Sequence, residues 1–299
     1  MSVPRLPWWL ASGLLERLGE PTEIDAALGA QRWSRWMQLP PLRGADDVDA
    51  VLAPLGVTST CLRALLGETP ASLARRMQTG PAPEWYLHFQ RLWEQGERTQ
   101  HLPKSAPLDV IELVRPLVDG ALEELAVRGE ALTHEVPEPA EAVRGALNAT
   151  LSEHPLADLA PIIAPTGVLE VHLMKSAGRL FGNTPEERYE SFIHLLHDPE
   201  VREELLSKYV ELARIVTTRL MFWVERRLDF LRAYRDDRAE LAHLLGADTV
   251  MITDVEFGAG DSHCEGRTVA IVTTDAGRVV YKPRAGDLDT AFASIVDWT

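Results

Sequence analysis

Residues 198–245 contain a single proline, Pro199, at the start, where proline is tolerated, and the run stops at Gly246, the residue type that most readily ends a helix. Leu205, Tyr209, Leu212, Val216, Leu220, Trp223, Leu228 and Leu231 recur along it at about the helical period. Arg214, Arg219, Glu225, Arg226 and Arg227 interrupt the apolar character. The segment therefore reads as one long or two consecutive amphipathic helices, packed on one face and wet on the other, and not as a membrane span. At Gly246 the period changes. Residues 249–257, 268–274 and 279–280 are rich in β-branched side chains, and Asp275-Ala276-Gly277 suits a three-residue hairpin loop with glycine at the positive-φ position. Residues 287–298 return to helix. Helices first, then a small antiparallel sheet, then a helix: the order is α+β and not parallel α/β.

Upstream, apolar residues recur at three- and four-residue spacing in 25–37, 83–94, 108–128 and 141–151, with Pro116 expected to kink or split the third. Pro40–Pro41, Pro81–Pro83, Pro103–Pro107 and Pro137–Pro139 read as loops, and no fixed-period repeat is evident. The apolar run 6–15 is too short to span a bilayer and lacks a small-residue cleavage site, so it reads as a buried amphipathic helix and not as a signal peptide. No other segment approaches membrane length. Two parts result: a helical region over 1–246, and a sheet-and-helix segment over 247–299.

The formal net charge of −15 disfavours nucleic acid and anionic membrane surfaces, whose binding depends on Lys and Arg. An anionic ligand must then find cations gathered locally. Lysine is scarce, confined to Lys104, Lys175, Lys208 and Lys282, so a lysine inside a motif stands out. The two cysteines, Cys61 and Cys264, lie far apart and suggest neither a disulfide framework nor a zinc cluster, which fits the cytoplasm.

The chemistry-bearing stretch is Phe257-Gly-Ala-Gly-Asp-Ser-His-Cys-Glu-Gly-Arg267, followed by Tyr281-Lys282-Pro283-Arg284. It joins two strands through a glycine-rich connection and places a lysine at the end of the next strand. Kinases cover nucleotide phosphates with such a loop, whose glycines let backbone amides approach, and a lysine from the third strand neutralises phosphate charge. Glycine-rich hairpins outnumber nucleotide sites, so on this pattern alone a structural turn is the commoner reading. The polar content shifts that balance modestly toward a site: Asp261, Ser262 and His263 exceed what a hairpin needs, and Arg267, Lys282 and Arg284 gather three cations on an acidic chain. Arg278 and Glu265 read as a solvated face.

The run Gly260-Asp261-Ser262-His263-x-x-Gly266-Arg267-x-Val269, with Tyr281-Lys282-Pro283-Arg284 and a helix ending in Asp297-Trp298, resembles the dehydratase domain of LanM-type lanthipeptide synthetases. The lead-in helix with Tyr209, Leu212, Ala213 and Arg214 supports the likeness; the first two hundred or so residues are compatible with it. The resemblance implies a fold similar to the N-lobe of lipid kinases. It implies use of ATP and Mg²⁺ to phosphorylate Ser and Thr of a ribosomal precursor peptide, then elimination of phosphate to leave dehydroalanine or dehydrobutyrine. Carried over by residue, it implies catalytic roles for Asp261, His263 and Lys282. It implies ATP binding by Gly258, Gly260, Ser262, Gly266, Lys282 and Arg284. Arg267 and Arg284 serve either phosphate or structure, and Asp287 or Asp289 either pairs with Lys282 or caps the last helix.

The resemblance also places the kinase-like C-lobe, with its Asp and Asn residues for the hydroxyl and Mg²⁺, and a zinc-bearing cyclase domain, beyond Thr299. No zinc is expected in 1–299. The chain is thus expected to hold part of an ATP site, to be inactive alone, to self-associate or be poorly soluble through apolar surface meant for the second lobe, and to work with a precursor peptide; it reads equally as a truncated gene product, an engineered piece, or one part of a split protein whose remainder is separately encoded. The alternative is a non-catalytic helical module that binds a peptide or a partner. Leader-peptide binding without ATP binding would favour it.

Overall fold

The computed structural model describes residues 3–38, 45–99, 102, 109–134, 140–261, 265–284 and 296. These form two compact units, one built from Arg5–Leu87 with Glu203–Arg214 and the other from His88–Arg202 with Ile215–Thr299 and the first residues.

The smaller unit contains α1 (Ala26–Trp36), α2 (Ala45–Leu52), α3 (Ser59–Gly67) and α4 (Pro70–Met77). Side-chain caps set the starts: Asp25 accepts from the Leu28 amide, Thr58 from Cys61 and Thr69 from Ser72. The helix expected over 25–37 is α1. It lies against α3 at Gly29 and Gly67, where a Cβ on Gly29 would stand 3.1 Å from the Gly67 Cα. Val48, Leu52, Val57 and Leu62 form a core walled by Trp33, Trp36 and Met37. Glu68, 3% exposed, is held by Arg76 at 2.7 and 3.0 Å and by the Ser72 hydroxyl at 3.0 Å; a buried carboxylate needs that many donors to remain charged.

The helix expected over 6–15 is corrected. Trp8–Ala11 forms one 3-10 turn, and a separate turn follows it, closed by the Arg17 amide on the Gly13 carbonyl at 3.1 Å. Pro7 lacks the amide that would extend the turn upstream, and Ser12-Gly13 is a poor continuation, so the run buries Leu6, Trp8 and Ala11 without a regular helix.

The larger unit takes most of α5 (Glu84–Thr99), then a 3-10 turn (Asp109–Val114), α6 (Arg115–His134), α7 (Ala140–Ser152), α8 (Leu156–Ser176) and α9 (Pro185–Leu195). It also takes the first turn of α10 (Pro199–Lys208) and most of α11 (Val210–Leu245). Pro116 splits the segment expected over 108–128 as anticipated, since the 3-10 turn gives way to α6 one residue before it. The segment 198–245 is two consecutive helices, broken at Tyr209. Leu205, Leu212, Val216, Leu220, Trp223, Leu228 and Leu231 are all buried, which bears out the stripe, and Tyr209 is half-buried. α8 was not expected, because Pro161 and Pro165 lie inside it. Among the described residues, one stretch, Ala140–Ser176, is long and apolar enough to cross a membrane by length and composition, with a mean hydropathy of 1.3 over its best window. That departs from the reading that no such segment exists.

Helix α11 stops at Leu245 before Gly246, whose φ of +67° is the left-handed terminator conformation. Strands β1 (Ile252–Phe257), β2 (Ala270–Thr274) and β3 (Arg278–Tyr281) form an antiparallel sheet in the order β1-β2-β3. The α+β class is observed. Gly277 has φ +153°, and the Thr274 hydroxyl accepts from the Ala276 and Gly277 amides to close the β2–β3 turn. Alternation gives the sheet two faces. Ile252, Val255, Ala270, Val272 and Thr274 are buried on the helix-covered side. Gly145 of α7 lets that helix approach β1, its Cβ position lying 3.7 Å from the Ile252 carbonyl oxygen. Asp254, Glu256, Arg278 and Val280 are exposed on the other side, Val280 at 59%. The helix expected over 287–298, with Asp287, Asp289 and Asp297-Trp298, lies outside the described residues apart from Val296. The loops at Pro40–Pro41, Pro103–Pro107 and Pro137–Pro139 lie outside them as well.

Candidate functional site

The β1–β2 connection leaves the sheet at Phe257, paired with Ala270, and the hairpin continues one step further through Ala259 N–H to the Val269 carbonyl at 3.0 Å. Gly258 (φ +77°) and Gly266 (φ +84°) occupy conformations that a side chain resists, so glycine at these two positions is a backbone requirement. The Gly258 amide donates to Thr268 Oγ1 at 3.1 Å, tying the two legs of the loop together.

Helix α11 supports this loop from the helix-covered side. Arg226 reaches Asp229 at 2.8 Å and Glu265 in the loop at 3.3 Å. Arg227 bonds Glu153 at 2.9 Å, and its guanidinium carbon lies 3.8 Å over the Phe257 ring. Glu153 also accepts from the Phe257 amide at 3.2 Å, so one carboxylate links the end of α7, the middle of α11 and the exit of β1. Phe230 meets the rings of Phe257 and Tyr281 edge-on at 5.3 and 5.2 Å, pinning β1 and β3 together from below. Burial pushes the Glu153 carboxyl above the ordinary carboxylate range, against the pull of Arg227. Burial likewise depresses Arg227, against Glu153 and Asp158, although a guanidinium stays charged throughout.

Between the loop and these helices lies a cavity of about 560 Å³. Gly258, Gly260, Gly266 and Thr268 line its sheet side; Glu153, His154 and Asp158 line it from the α7–α8 junction, and Arg219, Trp223 and Arg227 from α11. Three of the expected site residues, the glycines, therefore converge. Asp261 is exposed near the loop tip, Lys282 is exposed directly after β3, and Arg284 is exposed two residues on, its amide donating to the Lys282 carbonyl at 2.8 Å. These three do not line the cavity. Ser262 and His263 lie outside the described residues. Lys282 continues β3 beyond Tyr281, which faces the helices, so alternation directs Lys282 toward the open side of the sheet.

Sequence reasoning missed Glu153, His154, Asp158 and Trp223 as site residues and took Arg219 and Arg227 only as interruptions of an apolar stripe. The available signal was their period. Arg219, Trp223 and Arg227 stand four apart, hence on one helix face, and within the stripe instead of opposite it.

Residues 209–299 match the family described as Domain of unknown function (DUF4135). That domain is found in lanthipeptide synthetases of the LanM kind. No curated protein matches the chain. The matched stretch runs from the start of α11 through the sheet, the part of the chain that builds the loop and its supports.

Proposed function

We propose that this chain carries the nucleotide-facing, N-lobe-like part of an ATP-dependent dehydratase for lanthipeptide biosynthesis. One observation supports the reading: a glycine-rich loop joins β1 to β2 of an antiparallel sheet, and Lys282 follows the adjacent β3 directly as an exposed residue. Loop amides and an ammonium group on a partly dry sheet are what a triphosphate requires. In this reading Gly258, Gly260 and Gly266 would shape the loop, Ser262 and the loop amides would meet phosphate oxygens, and Lys282 with Arg284 would balance their charge. Among the described residues no group of three His, Cys, Asp or Glu side chains could hold a metal, so none is assigned to Mg²⁺.

ATP supplies the γ-phosphoryl group. The peptide Ser or Thr hydroxyl oxygen forms a bond to the γ-phosphorus as its bond to the ADP oxygen breaks, and the hydroxyl proton passes to a base. Asp261 and His263 are the loop's candidates for orienting the hydroxyl and phosphate. Loss of the α-proton then forms the Cα–Cβ double bond as the Cβ–O bond breaks and phosphate departs; phosphate is a far better leaving group than hydroxide. An enzyme using ATP on a ribosomal peptide belongs in the cytoplasm.

Calorimetry with Mg-ATP tests the reading. The wild-type chain is expected to bind, and Lys282→Ala to weaken binding about tenfold or more, the value of one charge-assisted contact. Absence of binding, or binding indifferent to the substitution, would reject the nucleotide role. A second reading, a non-catalytic module for a peptide or partner, is favoured by the exposed apolar residues Val168, Leu169 and Leu173 on α8. Precursor-peptide binding without any ATP binding would select it.

A further inference from the structure

We infer that Arg226 of α11 and Glu265 of the glycine-rich loop form a latch that sets the loop's shape, with Arg226 as the positioning residue. The latch stands on geometry alone; its effect on nucleotide binding rests on the reading above.

The first observation concerns the backbone. Glu265 has a φ of +64°, and among the described residues Asp109 is the only other non-glycine with a positive φ. The left-handed region crowds Cβ against the following carbonyl, so glycine enters it freely, and Asn or Asp enter it with help from a short polar side chain. Glutamate has neither advantage. Gly266 follows at φ +84°, so the chain turns through two successive left-handed residues and uses glycine for one of them. Glycine at 265 would fit the turn with less strain.

The second observation is what the glutamate side chain does. Read from sequence as part of a solvated face, it accepts instead from Arg226 Nη2 at 3.3 Å. Arg226 is oriented independently of the loop. Its Nη1 donates to Asp229 Oδ2 at 2.8 Å, and Asp229 Oδ1 accepts in turn from Arg232 at 3.1 Å. The Arg226 side chain is 14% exposed, and Arg226, Phe257, Thr268 and Tyr281 surround one narrow gap at the base of the loop. The cation is thus fixed on the helix, and the loop comes to it.

Stability does not account for the pair. The Glu265 side chain remains 60% exposed, a setting in which an ion pair contributes little, and the left-handed backbone works against it. A strained residue held in place by so weak a contact points to position as its purpose. That position is passed on along the outgoing leg. Thr268 Oγ1 accepts from the Gly258 amide at 3.1 Å, and the Val269 carbonyl accepts from the Ala259 amide at 3.0 Å. Drawing Glu265 onto α11 therefore fixes the outgoing leg of the loop against the incoming one. Loop amides that are already in place bind a nucleotide without the cost of ordering them, and α11 supplies that order.

The test is hydrogen exchange of the full chain without nucleotide, followed by NMR at the Gly258 and Ala259 amides. Glu265→Gln and Arg226→Gln are each expected to accelerate both amides about threefold, the scale of one exposed ion pair. The amides of the central strand β2 are expected to keep their rates. The double variant is expected to exchange no faster than either single one, since both remove the same contact. Glu265→Gly is expected to accelerate the loop amides while leaving the melting temperature at or above that of the wild type, a split that misfolding does not imitate. Unchanged loop exchange in Glu265→Gln, additive effects in the double variant, equal acceleration in β2, or a melting temperature lowered by Glu265→Gly would overturn the latch. In a Mg-ATP titration the two Gln variants are expected to bind about threefold more weakly. Unchanged affinity in variants whose loop has loosened would overturn the positioning role. If the wild type binds no Mg-ATP while the exchange pattern holds, the dehydratase reading fails and the latch stands; if it binds Mg-ATP and exchange ignores both substitutions, the latch fails and that reading stands.

Discussion

Tyr189 shows how much one side chain's surroundings decide. Its hydroxyl donates to Asp109 Oδ1 at 2.9 Å, and burial, reinforced by that hydrogen bond and by the Asp109 charge, raises its pKa to about 12. Asp109 takes a φ of +52°, a conformation that Asp tolerates better than most residues, and so it can reach the ring. A raised folded-state value means that the folded chain holds this proton more firmly than the unfolded one. The contribution is complete below pH 10 and disappears as pH climbs from 10 to about 12. Wild-type stability in urea is therefore expected to fall relative to Tyr189→Phe across that window, and to run parallel to it below pH 9.5 or so. Parallel curves through the whole range would show that Tyr189 titrates like a free tyrosine. Arg227 teaches the complementary lesson: in the sequence it is a charge interrupting a stripe, in the fold it is a buried cation whose ligands are a carboxylate and two aromatic rings.

Between elements, the closest approach in the larger unit is backbone on backbone. A Cβ on Gly120 of α6 would stand 1.9 Å from the Leu92 carbonyl oxygen of α5, and one on Gly96 would stand 1.9 Å from that of Pro116. Two glycines 24 residues apart in sequence, one on each helix, thus act as one crossing point, and neither neighbour is the end of a flexible side chain. In an isolated helix, Gly→Ala gains about 1 kcal/mol. Here the clash with main chain prevails: Gly120→Ala is expected to destabilise by about 3 kcal/mol, the upper end of overpacking. Chemical denaturation would measure it, and stability equal to or above that of the wild type would mean that the helices separate at little cost. The sheet follows a similar rule through Gly145, where α7 reaches the main chain of β1.

For the molecule as a whole, charge is the dominant bulk property. Forty-five acidic and 30 basic residues leave a formal −15, with an isoelectric point near 5.1. Mutual repulsion opposes association at neutral pH and is lost as carboxylates take up protons. Solubility, followed by light scattering between pH 4 and 8, is expected to pass through a minimum close to pH 5.1. A minimum at neutral pH would instead assign association to exposed apolar surface such as Val280 and the α8 face. The charge is unevenly used: Arg219, Arg226 and Arg227 gather around one loop within an acidic chain.

Much of the architecture was legible from local chemistry. The helical stripe of 198–245, its termination at Gly246, the strand-rich tract and the Asp275-Ala276-Gly277 turn each depend on residues close in sequence, and periodicity and glycine conformational freedom report such things directly. The glycine-rich loop was legible for the same reason. Misread elements are those in which a local signal met a tertiary override. Residues 6–15 had the apolar content of a helix but hold only a 3-10 turn at Trp8–Ala11 and the start of a second turn, while α8 formed through Pro161 and Pro165, which locally argue against it. The cavity was not legible at all, because its walls come from the α7–α8 junction, the middle of α11 and the two legs of a hairpin. By itself the sequence determined that helices precede a strand-rich tract and that a glycine-rich loop joins its first two strands. Which side of the sheet carries Lys282, and which arginines lie beneath the loop, was decided only by tertiary packing, since long-range burial brings together groups that no local pattern relates.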